Sequence, residues 1–342
     1  MTDRQWETLL RVLDGELFAP LPMGFIVDSP WLPHWAGTRI LDYYASDEIW
    51  LEANLRAAAA FPDLILLPGF WAEYGMCTEP SAFGGRCSFP ADEFPFAHRL
   101  IRTPEEIDAL AEPDPAADGL APFVLNRLLR LRPRIEAAGH KIRFSVSRGP
   151  LNVASFLMGV DEFLTALVTE PARMERLLAL ITDYLVRWHR LQREAVPTID
   201  GLLVLDDLLG FIGPAHFEAF ARPHLERLFA LPGRVKFLHN DADAKISAPY
   251  LAGLGVNLFN MGYEIPLDEL KALTGGAVTL LGNIPPRDVL AGGAPDDVRA
   301  AVRDLLAGLK DRRRIVVSCG GGMPPGVSTE NLAAFIRAVK AG

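Results

Sequence analysis

The sequence predicts a parallel (β/α)8 barrel, a TIM barrel with an N-terminal extension. Three observations carry that expectation. Short, continuous apolar runs alternate with amphipathic segments along much of the chain, and runs buried on both faces are what parallel strands covered by helices require. The runs number about eight, the count at which such a sheet closes on itself. No Gly-rich dinucleotide turn follows an early strand, which weakens the doubly wound open-sheet alternative.

The elements can be taken in order. Gly24–Val27 and Leu64–Leu67 read as the first two strands. Ile142–Val146, Leu202–Leu205, Val235–Leu238, Asn257–Asn260, Val278–Leu281 and Ile315–Val317 read as the other six. Asp161–Glu170, Arg173–Glu194, His216–Leu231, Ala244–Leu254, Leu267–Leu273 and Asp296–Leu309 have the 3.6-residue apolar period of covering helices. The Pro/Asp/Ala-rich stretch Glu112–Pro122 reads as a surface connection, and His98, His140 and His189 as surface residues. The 29 glycines and 27 prolines are spread throughout and mark no single linker. Residues 1–342 therefore read as one barrel domain, with residues 1–60 holding the N-terminal elaboration.

Composition removes several classes of function. Half of the residues are hydrophobic, enough for a large core. The net charge of −9 argues against binding nucleic acid or an anionic membrane. Three cysteines in 342 residues do not make a disulfide scaffold. The start of the chain shows no basic region followed by an apolar run, and no stretch reaches about 18 uninterrupted apolar residues. A cytoplasmic location is the simplest expectation.

Chemistry gathers just after the late strands. His239-Asn-Asp241, Gly262-Tyr-Glu264, Gly282-Asn283 and Ser318-Cys319 each follow an apolar run. In a parallel barrel those positions share the C-terminal rim, where such barrels carry their sites. His239 and Asp241 lie two apart on extended chain and point the same way. With Glu264 and Cys319 from neighbouring strands they make a candidate tetrahedral zinc site. Taken singly, Cys319 also reads as a small core residue and His239 as a satisfied rim histidine. Arg148 follows another strand and can either bind an anion or pair with an acid. Asp206 and Asp207 end a strand and can orient a substrate or simply start a helix. Gly320–Gly326 lacks the Lys-Ser/Thr of a phosphate loop and reads as a tight turn. Cys77 and Cys87, ten apart in a Gly-rich loop with no companion His, are poor evidence for a metal. Trp31, Trp35, Phe70, Trp71 and Tyr74 crowd the Pro/Gly-rich loops after the first strands, where aromatics can lid an apolar pocket.

Three segments carry a resemblance. Gly149-Pro-Leu-Asn-Val-Ala-Ser-Phe-Leu-Met-Gly-Val-Asp-Glu-Phe163, Leu281-Gly-Asn-Ile-Pro-Pro286 and Met323-Pro-Pro-Gly-Val-Ser-Thr-Glu-Asn331 resemble the uroporphyrinogen decarboxylase superfamily. The resemblance spans most of the chain, is strongest from about residue 142 onward, and implies a (β/α)8 barrel. The superfamily includes decarboxylases and zinc-dependent methyltransferases that work with cobalamin, and the barrel of cobalamin-independent methionine synthase is similar. Its decarboxylases hold the tetrapyrrole propionates with paired arginines near the N-terminus, whereas Pro22–Trp31 here contains none. Their Phe-Ser-Asp-Ile-Leu aspartate has no counterpart in Ile65–Phe70, and the histidine of their Asn-Leu-Gly-His-Gly motif is Gly321 here.

The methyltransferase branch binds zinc through His-x-Cys, a Glu and a late Cys. By that resemblance His239, Glu264 and Cys319 are zinc ligands. Asp241, standing where the first Cys would be, is a fourth ligand or an acid catalyst. A carboxylate in place of a thiolate makes the ion a stronger Lewis acid. The resemblance thus implies a methyltransferase moving a methyl group from a small, methoxylated or similar substrate to a corrinoid. Asp207 and Asn283 would position the substrate, and Arg148, Trp71 and Tyr74 would line its site. No Asp-x-His-x-x-Gly corrinoid motif occurs in the chain, so the cobalamin is expected on a partner protein or free in solution. The alternatives are a decarboxylase of a smaller acid, a methylcobalamin:thiol methyltransferase, and a non-catalytic binding barrel.

Overall fold

A computed structural model describes residues 1–28 and 30–342. Its main sheet has eight parallel strands: Met23–Ile26 (β1), Leu64–Leu67 (β2), Phe144–Arg148 (β3), Gly201–Leu205 (β4), Val235–Asn240 (β5), Leu258–Met261 (β6), Thr279–Ile284 (β7) and Ile315–Cys319 (β8). The spatial order is β2-β1-β8-β7-β6-β5-β4-β3. The sheet curls into the predicted barrel, and each of the eight apolar runs became a strand.

Among the described residues the ladder closes everywhere except between β2 and β3. Side chains and the chain start bridge that seam. Met1 and Lys141 exchange backbone hydrogen bonds of 3.2 and 2.8 Å. Gln5 Nε2 donates to the Leu64 carbonyl at 2.9 Å, and the rings of Phe70 and His140 stand 5.4 Å apart.

Two apolar layers result from the two-residue period of each strand. Ile26, Ile65, Phe144, Leu203, Leu205, Val235, Phe237, Leu258, Leu281 and Val316 fill the interior. Phe25, Leu202, Val204, Leu238, Phe259, Leu280 and Val317 face the helices. The helix Asp3–Leu13 closes the bottom of the interior. A capping box of Thr2 and Gln5 starts it, and Trp6, Leu9, Leu10 and Leu13 recur on one face. Trp6 meets Phe144 edge-on at 5.6 Å, the Arg143 guanidinium lies over the same indole at 5.3 Å, and Arg314 donates to the Leu13 carbonyl. With its lower mouth plugged, the barrel interior opens toward its upper rim.

Residues 1–60 thus hold β1 and the crossover helix Asp47–Ala60, both integral to the barrel, as well as the plugging helix. Two readings change. Ala244–Leu254 is a run of turns around a short 3-10 helix, Ala248–Tyr250, because Pro249, Gly253 and Gly255 interrupt it. His189 is fully buried, held between the hydroxyls of Ser145 and Ser147 at 2.9 Å each. Among the described residues no single helix is long and apolar enough to cross a membrane.

Candidate metal centre at the barrel rim

One rule of strand parity builds the site. Continuing each interior row by two residues toward the upper rim reaches Asp28 after Ile26, Arg148 after Val146, and Asp207 after Leu205. It likewise reaches His239 after Phe237, Asn260 after Leu258, Asn283 after Leu281 and Ser318 after Val316. Apolar packing lower in the barrel thereby converts into convergent polar groups at the top.

Asp207, His239 and Asp241 come together, with one donor atom from each lying within 4.8 Å of the others. His239 Nε2 stands 3.5 Å from Asp207 Oδ1, which also accepts the Asp241 backbone N–H at 3.2 Å. The Asp241 carboxyl hydrogen-bonds to that of Asp207, and burial together with Asp207 raises it above the usual carboxylate range. Two carboxyl groups beside an imidazole nitrogen stand where a divalent cation could be held. These N and O donors fit such an ion.

The three donors are oriented from behind. Register sets His239 beside Asn260 and Asn260 beside Leu281. His239 Nδ1 bonds to Asn260 Oδ1 at 2.7 Å, and Asn260 Nδ2 donates to the Leu281 carbonyl at 2.7 Å. The amide is thus fixed as an acceptor toward the ring, so Nδ1 carries the hydrogen and Nε2 faces the carboxylates with its lone pair. Asn152, in the first turn of the helix Pro150–Met158, performs the same service for Asp207. It donates to Asp207 Oδ2 at 3.2 Å and accepts from the N–H groups of Asp207 and Leu208. Asp206 points the other way and accepts from the N–H groups of Leu151 and Asn152 at 3.0 Å each. Gly149 has no side chain because a Cβ there would collide with the Asp206 carboxylate.

The other expected residues lie at varied distances from this centre. Glu264 is exposed on the rim, its carboxylate against Gly262 and so beside the Asp241 backbone. Cys319 is not brought to the donors. It sits one residue out of phase with Val316 and Ser318, so it joins the outer core with Ile315 and Val317. Its thiol is fully buried there, pushed up to about 12 by burial. The residue of this loop that does approach Asp241 is Gly321, where a Cβ would stand 3.1 Å from Asp241 Oδ2. Asn283 spends its amide on the carbonyls of Ile265 and Gly262, at 2.8 and 3.3 Å, and so props the Glu264 loop. Tyr74 stacks on Tyr44 at 5.8 Å and packs under Arg127, inside the cover of the barrel.

Arg148 pairs with acids. Its guanidinium bonds Glu73 at 3.0 Å, its backbone N–H bonds Glu79 at 2.9 Å, and it lies 5.2 Å over the Trp71 ring. Burial pushes Glu73 up to about 8. Asp28 is pushed by burial to about 6, with Arg148 and His239 opposing the rise. Sequence reasoning missed Asp28, Glu73, Glu79, Asn152 and Asn260. Two had a visible signal: Asp28 and Asn260 are polar residues in the inward phase of apolar strands. A cleft of about 330 Å³ opens beside the centre, lined by Asp241, Asp243, Lys245, Met261, Glu264 and Ile265 among others.

A parallel barrel plugged below, with its polar groups gathered at the strand C-termini, is the architecture of a barrel enzyme. The uroporphyrinogen decarboxylase (URO-D) family model matches residues 6–342, and the chain belongs to that family. Uroporphyrinogen decarboxylase of Cellvibrio japonicus (strain Ueda107) is 24% identical over 329 residues, covering 90% of this chain and 88% of that one. The enzyme of the same name from Thermus thermophilus is 26% identical over 259 residues, covering 72% and 71%. Among solved structures, a methyltransferase from Methanosarcina mazei superposes with a TM-score of 0.81 at 20% identity over 98% of both chains. A B12-independent methionine synthase from Shewanella sp. W3-18-1 superposes at 0.58 with 12% identity, covering 94% of this chain and 98% of that one. The two likenesses establish a shared fold.

Proposed function

We propose that this protein is a metal-dependent methyltransferase. It would move a methyl group from a small methylated substrate, a methoxylated one fitting best, to a corrinoid delivered by a partner protein or free in solution. The observation that carries this reading is the convergence of Asp207, His239 and Asp241 within 4.8 Å. A zinc ion held by those side chains would supply Lewis acidity to the departing oxygen. His239 presents Nε2 because Asn260 holds Nδ1. Asn152 keeps the Asp207 carboxylate aimed at the same point. Asp241 opens onto the cleft, where its carboxyl can instead give a proton to the leaving group. Glu264 stands near enough to join the donor set on loop movement.

The charge of the rim favours this over porphyrinogen decarboxylation. Arg148, the cation expected to meet an anionic substrate, is already bonded to Glu73 and Glu79. A polycarboxylate would meet Asp28, Asp207, Asp241, Asp243 and Glu264, with Lys245 the one cation among the described residues lining the same cleft.

Protein purified without chelator is the test material. Stoichiometric zinc, and methylation of reduced cobalamin by a methoxylated, methylamine or methylthiol donor seen in the cobalt spectrum, are the expected results. Folded protein lacking bound metal, or release of CO2 from a carboxylic substrate without methyl transfer, would overturn the proposal. Running the assay backwards, with methylcobalamin and a thiol, reads the direction of transfer.

Asn260→Ala is expected to weaken zinc affinity by roughly 10–100-fold, because an unheld imidazole must be ordered on binding. Chelator competition measures the change, and an unaltered affinity would remove Asn260 from its orienting role.

A further inference from the structure

We propose that Cys77 and Cys87 form a reversible dithiol–disulfide site on the segment that covers the rim, independent of which reaction the rim performs. Ten residues apart in sequence, they meet in space. Cys77 ends the 3-10 turn Gly75–Cys77. Cys87 opens a two-stranded antiparallel ribbon, Cys87–Ser88 with Phe96–Ala97. The chain reverses between them at Gly85, where a Cβ would lie 2.8 Å from the Pro80 carbonyl. The Cys87 sulfur stands 3.9 Å from the Cys77 carbonyl and 3.6 Å from that of Gly85. A Cys87 sulfur that already touches the Cys77 backbone can be brought to the Cys77 sulfur by side-chain rotation, with little backbone movement.

The two thiols differ in a way that orders the chemistry. Cys77 is fully buried and Cys87 is half-buried. The more open Cys87 is the sulfur that a disulfide reagent in solution reaches first. Cys87 is thus the attacking thiolate and Cys77 the resolving thiol. With a small-molecule disulfide such as oxidised glutathione, the Cys87 thiolate attacks one sulfur and breaks the S–S bond. One glutathione thiolate leaves, and Cys87 carries a mixed disulfide. Cys77 then loses its proton and attacks the Cys87 sulfur, expelling the second glutathione. Two protein thiols are oxidised and one glutathione disulfide is reduced to two thiols.

The position gives the bond a consequence. Glu73 and Glu79, four residues before and two after Cys77, hold Arg148 at the rim. A Cys77–Cys87 bond ties their segment to the ribbon and shortens its range of motion.

The full-length native protein, incubated with oxidised glutathione, acid-quenched and alkylated, is expected to fall from three reactive thiols to one. Its mass should drop by two hydrogens, a Cys77–Cys87 peptide should appear, and dithiothreitol should restore three thiols. Hydrogen exchange over residues 75–98 should slow in the oxidised form. In Cys77→Ala the glutathione adduct should persist on Cys87, and Cys87→Ser should form neither adduct nor bond. Wild-type protein that keeps three free thiols, or that ends as a stable Cys87 adduct with Cys77 free, would overturn the proposal. The wild-type measurement decides the matter even if a variant fails to fold.

Discussion

Replacing His239 by alanine is expected to strip the bound metal and to lower methyl transfer by at least about 10²–10³-fold, the cost of losing one preorganised electrostatic group at a reacting centre. His239 is the only nitrogen among the three converging donors. Without it Asp207 and Asp241 face each other as two carboxyls that a proton satisfies as well as a metal does. The fold should survive, because the ring sits above the interior apolar layers and its bonds run to Asn260 and Asp207. Metal content by mass spectrometry of native protein and activity on reduced cobalamin should fall together, with the circular dichroism unchanged. Cys319→Ala is the informative companion. Strand parity places that thiol in the outer core, so the variant should keep its metal. Loss of metal there would return Cys319 to the ligand set and refute the geometry drawn for β8.

Above about pH 8, where Glu73 ionises, Arg148→Ala is expected to destabilise the protein by roughly 3–5 kcal/mol, the usual cost of removing one partner from a buried ion pair. Glu73, Glu79 and Asp28 would lose the cation that faces all three. Urea unfolding followed by tryptophan fluorescence measures the change, and a loss below about 1 kcal/mol, the range of exposed pairs, would mean the cluster is effectively solvated. Glu73→Gln should behave oppositely, matching the wild type at about pH 4, where the side chain is neutral in both states, and exceeding it in stability near neutral pH, where the unfolded wild-type carboxyl ionises while the native one keeps its proton. The sign with pH follows. Glu73 has a folded value near 8 against an ordinary 4.5, so the native state binds the extra proton. Its contribution is full below pH 4.5 and lost as pH rises through 8. Wild type should therefore weaken relative to Glu73→Gln across that window.

The barrel was legible because each strand is a continuous apolar run, a signal that survives without any partner in view. Much of the centre was legible for the same reason: Asp207, His239 and Asp241 are polar residues that interrupt such runs at their ends. Cys319 shows where this reading fails. One residue of phase separates the interior of a strand from its exterior, and adjacency to the rim says nothing of phase unless the row is followed from Val316. Asn152 and Glu73 were hidden for another reason. They reach the site from a helix start and a connecting segment, 55 residues before Asp207 and 75 before Arg148 respectively, and no local period encodes such distances.

The unlaced seam between β2 and β3 has a mechanical consequence. A hydrogen-bonded ladder resists shear, and the strands carrying Asp207, His239 and Asn260 lie within an unbroken succession of ladders from β3 through β8. The segment bearing Trp71, Glu73 and the cysteine pair starts at the one junction held by side chains and the chain start alone. The ladders therefore make the barrel stiffest around the candidate donors and most compliant where the segment that holds Arg148 begins.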